Sequence, residues 1–167
     1  MRSFEIEQKY RLKNPAAVRN ILRGLGAKKI RSGPESNELF DLEGMLKSRA
    51  SVLRLRRHGK EARGLLTFKG PCLKSRYKKR VEIETLVPWA KARALLRSAG
   101  FKIVRNYSKN REEFVLGKVH VTVDRLPGKG WFLEIEGAPA RIADLQKRLG
   151  LSAKDRDERT YPEILGL

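Results

Sequence analysis

Cysteine, long apolar runs and glycine-rich loops are scarce in this 167-residue sequence, and each scarcity excludes a class of protein. Cys72 is the only cysteine, so the chain can form neither an internal disulfide nor a cysteine cluster for zinc. No apolar stretch approaches the length of a membrane span or of a secretory signal. No glycine-rich loop for a dinucleotide or a phosphate follows a strand pattern. We therefore expect a soluble cytoplasmic protein that has no membrane partner.

Acidic residues are also few in comparison with basic ones. The chain has 38 Lys and Arg residues against 19 Asp and Glu residues, which gives a net charge of +19. Such an excess raises the affinity for anions such as nucleic acids, nucleotides, polyphosphate or acidic lipids. With 40% hydrophobic residues, a chain of this length can bury a real core. We predict one domain over residues 1–167 with an anionic partner.

Apolar periodicity predicts strands interrupted by a few helices. Residues Ser3 to Leu12 alternate as a strand does, and Pro15, Pro88 and Ala140 each begin a stretch with helical spacing. About eight strands result, in an order of strand, helix and run of strands that occurs twice. The fold class is therefore α+β, with an antiparallel sheet that forms a barrel or two facing sheets.

Charged residues occupy alternate positions in several of these strands. Glu5, Glu7 and Lys9 share one face of the first strand, because side chains two residues apart point the same way. The acids in such patterns are Glu5, Glu7, Glu82, Glu84, Asp124, Glu134 and Glu136. The bases are Lys9, Arg54, Arg56, Lys69, Arg80, Lys109 and Arg111.

The charged faces can lie in water around an apolar interior, or they can converge inside the barrel. Three strands carry Glu-x-Glu, and carboxylates brought together across neighbouring strands repel one another. A divalent cation with a preference for oxygen ligands, such as Mg²⁺ or Mn²⁺, relieves that repulsion. A convergent interior would thus hold both a metal ion and an anion, which is what polyphosphate chemistry requires.

Seven elements in this order resemble the signature of the CYTH superfamily, the triphosphate tunnel metalloenzymes. The first is Glu5-x-Glu7-x-Lys9, and the others are the segments LRLRR, TFKG, RVEIE, KNR, VTVD and LEIE. The superfamily includes class IV adenylyl cyclases, thiamine triphosphatases, inorganic triphosphatases and fungal-type RNA triphosphatases. The segments GKVHVTVDRLPGKGWFLEIE and RTYPEILGL are most similar to the class IV cyclase branch.

The resemblance implies an eight-stranded antiparallel barrel with flanking helices and with its charged faces inward. It implies that all seven acids named above are ligands of Mg²⁺ or Mn²⁺. It also implies that Lys9, Arg54, Arg56, Lys69 and Arg111 bind the triphosphate, with Arg80 and Lys109 as further tunnel residues in the binding set. Within these sets we assign catalysis to Lys9, Glu82 and Arg111. Many relatives have Tyr where Phe40 precedes Asp41 here.

Two reactions and one non-catalytic function remain open at this point. If water attacks the terminal phosphorus of ATP, thiamine triphosphate or tripolyphosphate, the protein is a triphosphate hydrolase. If the ribose 3′-hydroxyl of ATP attacks the α-phosphorus, the protein is an adenylyl cyclase. The alternative is a basic module that binds RNA or polyphosphate on its outer surface without catalysis. The resemblance alone also suggests a homodimer.

A few residues outside the charged pattern carry separate expectations. His58 adjoins a turn glycine and is expected to be exposed, whereas His120 either lines the tunnel or faces solvent. Trp89 and Trp131 are expected to pack against the core. Tyr161, in the tail, either helps to close the site or packs.

Overall fold

The computed structural model describes residues 3–167, in which eight antiparallel strands close into a barrel. The strands are β1 (Ser3–Leu12), β2 (Lys28–Asp41), β3 (Val52–His58), β4 (Arg63–Lys69), β5 (Lys78–Pro88), β6 (Lys102–Leu116), β7 (Val119–Leu126) and β8 (Gly130–Glu136). The helices are α1 (Pro15–Gly24), α2 (Met45–Ser48), α3 (Trp89–Ser98), α4 (Pro139–Arg148) and α5 (Tyr161–Leu165). The predicted closed barrel with flanking helices is confirmed.

The order of strands around the barrel is β1-β5-β4-β3-β2-β6-β7-β8. If β1 is exchanged with β5, β2 with β6, β3 with β7 and β4 with β8, every pair of adjacent strands remains adjacent. The two halves, β1-α1-β2-β3-β4 and β5-α3-β6-β7-β8, therefore have the same connectivity, apart from α2. This supports the repeat that the sequence pattern indicated.

The hydrophobic core lies between the outer surface of the barrel and the helices. On β1, Tyr10 points outward and is fully buried under α4, and Leu22 of α1 and Ile142 of α4 are fully buried in the same cluster. Glu5 and Lys9, on the opposite face of β1, are only 6% exposed. Both faces of this strand are therefore buried, the outer one by apolar side chains and the inner one by charged side chains.

Local sequence explains where the helices begin and how closely they pack. The side chain of Asn14 accepts a hydrogen bond from the backbone N–H of Ala17 at 3.1 Å and caps α1, which Pro15 begins. The indole of Trp89 in α3 packs directly on Gly64 of β4. A Cβ at position 64 would lie 2.8 Å from that ring, so only glycine permits this approach.

The structure differs from the local sequence pattern in two elements. By their sequence, FKIVRNY and KNREEFVL are each typical of a separate strand, but Lys102–Leu116 form one 15-residue strand. The residues around Glu43 and Gly44 are typical of a loop, but they lead into the short helix α2, whose backbone N–H groups at Leu46 and Lys47 donate to the carboxylate of Asp41. Among the described helices, none is long and apolar enough to cross a membrane.

Candidate active site

The barrel encloses a chamber of about 1040 Å³ with a charged wall, which we call the large chamber. The predicted acids that line it are Glu5, Glu7, Glu82, Glu84, Glu134 and Glu136, beside Asp41 and Glu163, and the predicted basic residues that line it are Lys9, Arg54, Arg56, Lys69, Arg80, Lys109 and Arg111. Of the site residues predicted from the sequence, only Asp124 does not line it. The charged faces therefore converge inside the barrel, and the alternative of an apolar interior is wrong.

The carboxylate of Glu5 pairs with two cations, Lys69 on β4 and Arg80 on β5. The Lys69 ammonium lies 2.6 Å from Glu5 and 2.9 Å from Glu82, and Arg80 Nε donates to Glu5 Oε2 at 3.0 Å. Burial by itself would raise the pKa of Glu5, but the charges of Lys69 and Arg80 outweigh it and hold that pKa well below its usual range. Glu5 is therefore ionised at any physiological pH.

Two other carboxylates in the large chamber show the opposite effect. Burial, together with the charge of Glu5, raises the pKa of Glu82 to about 8 even though Lys69 opposes the shift. Burial and the charges of Glu5 and Glu7 raise the pKa of Glu136 to about 7. The acids thus crowd one another enough to retain protons near neutrality, and added positive charge would relieve that crowding.

Arg54 and Arg56 project from β3 into the large chamber towards Glu84. The terminal nitrogens of the two guanidiniums lie 3.9 Å and 3.7 Å from Glu84 Oε1. The Thr67 hydroxyl donates to the same oxygen at 2.6 Å. Because these ion-pair distances exceed hydrogen-bond length, both guanidiniums keep donors directed at the chamber.

Asp124 is the buried anchor of the basic residues on β6. Arg111 donates to both of its carboxylate oxygens at 2.7 Å and 2.6 Å, and the Lys109 ammonium lies 3.1 Å away. Arg111 also donates to Glu134 at 2.7 Å. The carboxylate of Asp124 is fully buried, so in this structure it orients two cations rather than facing the chamber.

The C-terminal tail reaches the same group of residues through Tyr161. Its hydroxyl donates to Asp124 Oδ2 at 2.5 Å, and its ring lies 4.3 Å from the Lys9 ammonium and 4.2 Å from that of Lys109. Lys9 also donates to the backbone carbonyl of Arg159 at 2.7 Å. Tyr161 therefore both packs and closes one side of the large chamber.

The fold of this chain is shared with known proteins. The CYTH domain profile matches residues 3–161. The chain belongs to the CYTH domain family.

Individual relatives agree with this assignment. Adenylate cyclase CyaB of Aeromonas hydrophila is 30% identical over 95% of this chain and 86% of its own length. A solved structure from Vibrio parahaemolyticus, described as a "putative adenylate cyclase", is 27% identical with a TM-score of 0.88 and full coverage of both chains. The Hippeastrum protein HpAC1, described as having a dominant triphosphatase activity, shares the fold at 20% identity and a TM-score of 0.75, covering 97% of this chain and 95% of its own.

A smaller chamber of about 360 Å³ lies at the other end of this CYTH barrel, and we call it the small chamber. Arg56 lines both chambers, and the other lining residues of the small one include Arg31, Arg63 and Glu61. His58 also lines it, and the expectation that this residue is exposed is wrong. It is only 8% exposed because Nε2 lies 3.0 Å from Glu113 Oε1 and 3.5 Å from Glu35 Oε2.

Two residues of the charged interior were not predicted from the sequence. Lys78 lines the large chamber, and its ammonium lies 2.8 Å from Glu7. It shares strand parity with Glu82, so the alternation in β5 could have identified it. Glu35 is fully buried, and Glu38 on the outer face of the same strand made the direction of that strand ambiguous.

For His120 the sequence left two positions open, in the tunnel or facing solvent. The structure places it in the lining of the large chamber.

One end of the large chamber is less charged than the rest. Leu39, Val104 and Tyr107 line it beside Arg105 and Lys47. The tyrosine that many CYTH relatives have before the aspartate is Phe40 here, which packs in the core beneath α3. The following aspartate, as described above, caps α2.

Proposed function

We propose that this chain is a metal-dependent enzyme that cleaves a triphosphate in the large chamber. The observation that carries the proposal is that buried carboxylates and buried cations line one chamber together. A wall of cations alone would suit the storage of anions. A mixed wall suits a triphosphate that carries a divalent cation, because the cations bind phosphate oxygens and the carboxylates bind the metal.

The acids of the large chamber fit Mg²⁺ or Mn²⁺. They offer only oxygen ligands, and the pKa values of Glu82 and Glu136 are raised by burial and by the charges of neighbouring carboxylates, which a cation offsets. Within residues 3–167, no three of these acids bring ligand atoms within 4.8 Å of one another. Phosphate oxygens would therefore complete the coordination, as is usual for Mg²⁺. The cation would withdraw charge from the phosphorus under attack.

The basic residues would position the phosphates and neutralise the charge that develops on them. Arg54 and Arg56 have donors directed at the chamber, as described above. Arg111 and Lys109 are held rigidly by Asp124, so no reorganisation is needed when charge moves onto the leaving group. Lys9 is fixed by its bond to the tail at Arg159, and burial lowers its pKa.

Of the two reactions, we infer that adenylyl cyclisation is the main one. The relative that is 30% identical over most of the chain is named an adenylate cyclase. In addition, the less charged end of the chamber, at Leu39, Val104 and Tyr107, offers a surface for an organic group. The 3′-hydroxyl would attack the α-phosphorus, the bond to the β-phosphate would break, pyrophosphate would leave, and the hydroxyl proton would pass to water.

Triphosphate hydrolysis is the second candidate. The cations of the large chamber would bind phosphate oxygens and its carboxylates a metal ion, and neither contact depends on the organic group. The same residues therefore serve equally well when water attacks the terminal phosphorus. Thiamine triphosphate, inorganic triphosphate and nucleoside triphosphates are then all candidate substrates.

A substrate panel tests the proposal. Pure protein is incubated with ATP, thiamine triphosphate or tripolyphosphate and with Mg²⁺ or Mn²⁺, and phosphate, pyrophosphate and cyclic AMP are measured. We expect cyclic AMP and pyrophosphate in equal amounts from ATP. Release of phosphate from any substrate would instead identify a hydrolase. If no product forms and RNA binds tightly with a steep salt dependence, the module without catalysis is the better description.

Replacing Arg54 tests the triphosphate grip directly. Arg54→Ala removes a guanidinium directed at the chamber, and we expect kcat/KM to fall by roughly 10²-fold. The matched control is Arg93→Ala, because Arg93 forms its ion pair with Glu38 outside the barrel. Equal kcat/KM in the two variants would count against a role of Arg54 in binding the triphosphate.

A further inference from the structure

Glu35, His58 and Glu113 form a compact group beside the small chamber, away from the acids of the proposed triphosphate site. Each offers one ligand atom, and these atoms all lie within 4.8 Å of one another. Nε2 of His58 is the centre of the group, at 3.0 Å from Glu113 Oε1 and 3.5 Å from Glu35 Oε2. In the part of the chain that the structure describes, no other three such residues meet this limit.

The buried carboxylate of Glu35 has an unmet acceptor that faces this group. Glu35 is fully buried, and within residues 3–167 its Oε2 has no hydrogen-bond partner. The nearest guanidinium atoms, of Arg56 and Arg111, are 3.7 Å and 3.8 Å away, which is too far for a hydrogen bond. A buried anionic oxygen without a donor is costly, so it points to a ligand that the residues around it do not supply.

We propose that Glu35, His58 and Glu113 bind a divalent transition-metal ion such as Zn²⁺, Co²⁺ or Ni²⁺. Ligand bonds of about 2.0–2.2 Å at tetrahedral angles place ligand atoms about 3.3 Å apart, close to the two short distances observed here. The imidazole nitrogen favours these ions, whereas the clustered carboxylates of the large chamber favour Mg²⁺ or Mn²⁺. The site is therefore chemically distinct from the one proposed for catalysis.

The small chamber gives the ion a route of entry and a free coordination position. His58 and Glu113 line that chamber, and the Glu113 side chain is 22% exposed. An ion can thus arrive without passing through the large chamber, and a water molecule can complete four-coordination.

The surrounding charges set the strength of binding. Arg56, Arg111 and Lys109 oppose a cation. The Lys109 ammonium lies 3.4 Å from Glu35 Oε1. However, Asp124 already engages Arg111 at 2.6 Å and Lys109 at 3.1 Å. A metal ion binds an imidazole only through an unprotonated nitrogen, so protons compete with it for Nε2 of His58. We therefore expect weaker and more pH-dependent binding than at a fully enclosed zinc site.

The chain contains only two histidines, which makes the test direct. Untagged full-length protein is titrated with Zn²⁺ in an excess of Mg²⁺, and the imidazole resonances are followed by NMR. We expect the resonances of His58 to shift and saturate while those of His120 remain unchanged. Co²⁺ should give visible absorption bands typical of four- or five-coordination with nitrogen and oxygen ligands.

Variants decide whether the site is the one proposed. Glu113→Gln and His58→Gln should each lower Zn²⁺ affinity at least about tenfold, while His120→Gln should not change it. Glu113→Gln is informative even if His58→Gln fails to fold, because Glu113 is only partly buried. Unmoved His58 resonances at saturating Zn²⁺, or loss of binding in His120→Gln, would overturn the proposal.

Discussion

The two faces of β8 show how this barrel separates stability from chemistry. Ile135 points outward and is fully buried against the helices, in the same cluster as Tyr10 and Val121. Its sequence neighbours Glu134 and Glu136 point inward and line the large chamber. Most small barrels fill their interior with apolar side chains, so this one reverses the usual arrangement.

The difference between the faces is energetic as well as chemical. Burial of apolar side chains beneath the helices is the main favourable contribution to folding. Buried ion pairs inside the barrel gain little net stability, because the desolvation of the charges offsets their attraction. The inner face is thus free to serve binding, provided that its charges remain balanced. Substitutions on the inner face should consequently change turnover, whereas substitutions on the outer face should change the free energy of unfolding.

The largest expected effect is on turnover, from the inner face. Glu134→Gln/Glu136→Gln removes two carboxylates from the large chamber at nearly constant shape. We expect metal-dependent kcat/KM to fall by on the order of 10³-fold, since groups that stabilise developing charge contribute effects of this size. Initial rates at several Mg²⁺ and Mn²⁺ concentrations measure it.

The control for this variant is Asp144→Asn, on the exposed face of α4, where the carboxylate pairs with Arg148 at 3.0 Å. Circular dichroism should show folded protein for both. If the folded double variant retains full metal-dependent activity, these two acids have no part in the reaction.

The grouping of the charges on one face of each strand was predictable from the sequence because a strand has a period of two. This alternation places Glu5, Glu7 and Lys9 on one face of β1, and Arg80 and Glu82 on one face of β5. That these faces point inward was predicted from the resemblance to the CYTH superfamily. The helices were predictable from proline and glycine positions. Lys78 follows the same rule and was missed only because RYKKR contains bases of both parities.

Other features depend on contacts between distant strands and could not be predicted from local pattern. His58 adjoins a turn, and a residue at such a position is usually exposed. It is buried because β2 and β6 bring Glu35 and Glu113 to its ring from 23 and 55 residues away. Similarly, the bond between Tyr161 and Asp124 joins the tail to β7 across 37 residues. No periodicity encodes such pairings.

Asp124 should be an exception to the separation of stability and chemistry between the two faces. It lies on the inner face, yet we expect it to contribute to stability because it balances two buried cations. Asp124→Asn leaves Arg111 and Lys109 with one carboxylate fewer at a fully buried position. We expect the free energy of unfolding to fall by about 3 kcal/mol, because a buried charge that loses its partner is strongly destabilising. Urea unfolding measures this change, with Asp144→Asn as the exposed control. A loss below about 0.5 kcal/mol, which is the range for surface substitutions, would show that the ion pairs of Asp124 contribute no stability.

The smallest expected effect on turnover, and the sharpest test of the comparison, comes from the outer face at Ile135. Ile135→Ala should lower the free energy of unfolding by about 2–5 kcal/mol, and Ile135→Val by about 0.5–1.5 kcal/mol, because each deletes methyl groups from a close-packed cluster. The kcat/KM of the folded protein should stay within about twofold, provided that the assay temperature lies well below both unfolding midpoints. Position 135 lies between two inward acids, so a backbone shift caused by the cavity would reach Glu134 and Glu136 first. A loss of activity that is small for Ile135→Val and larger for Ile135→Ala would therefore show that the two faces are mechanically coupled. If the faces are independent, the free energy of unfolding falls across the two variants while activity stays constant.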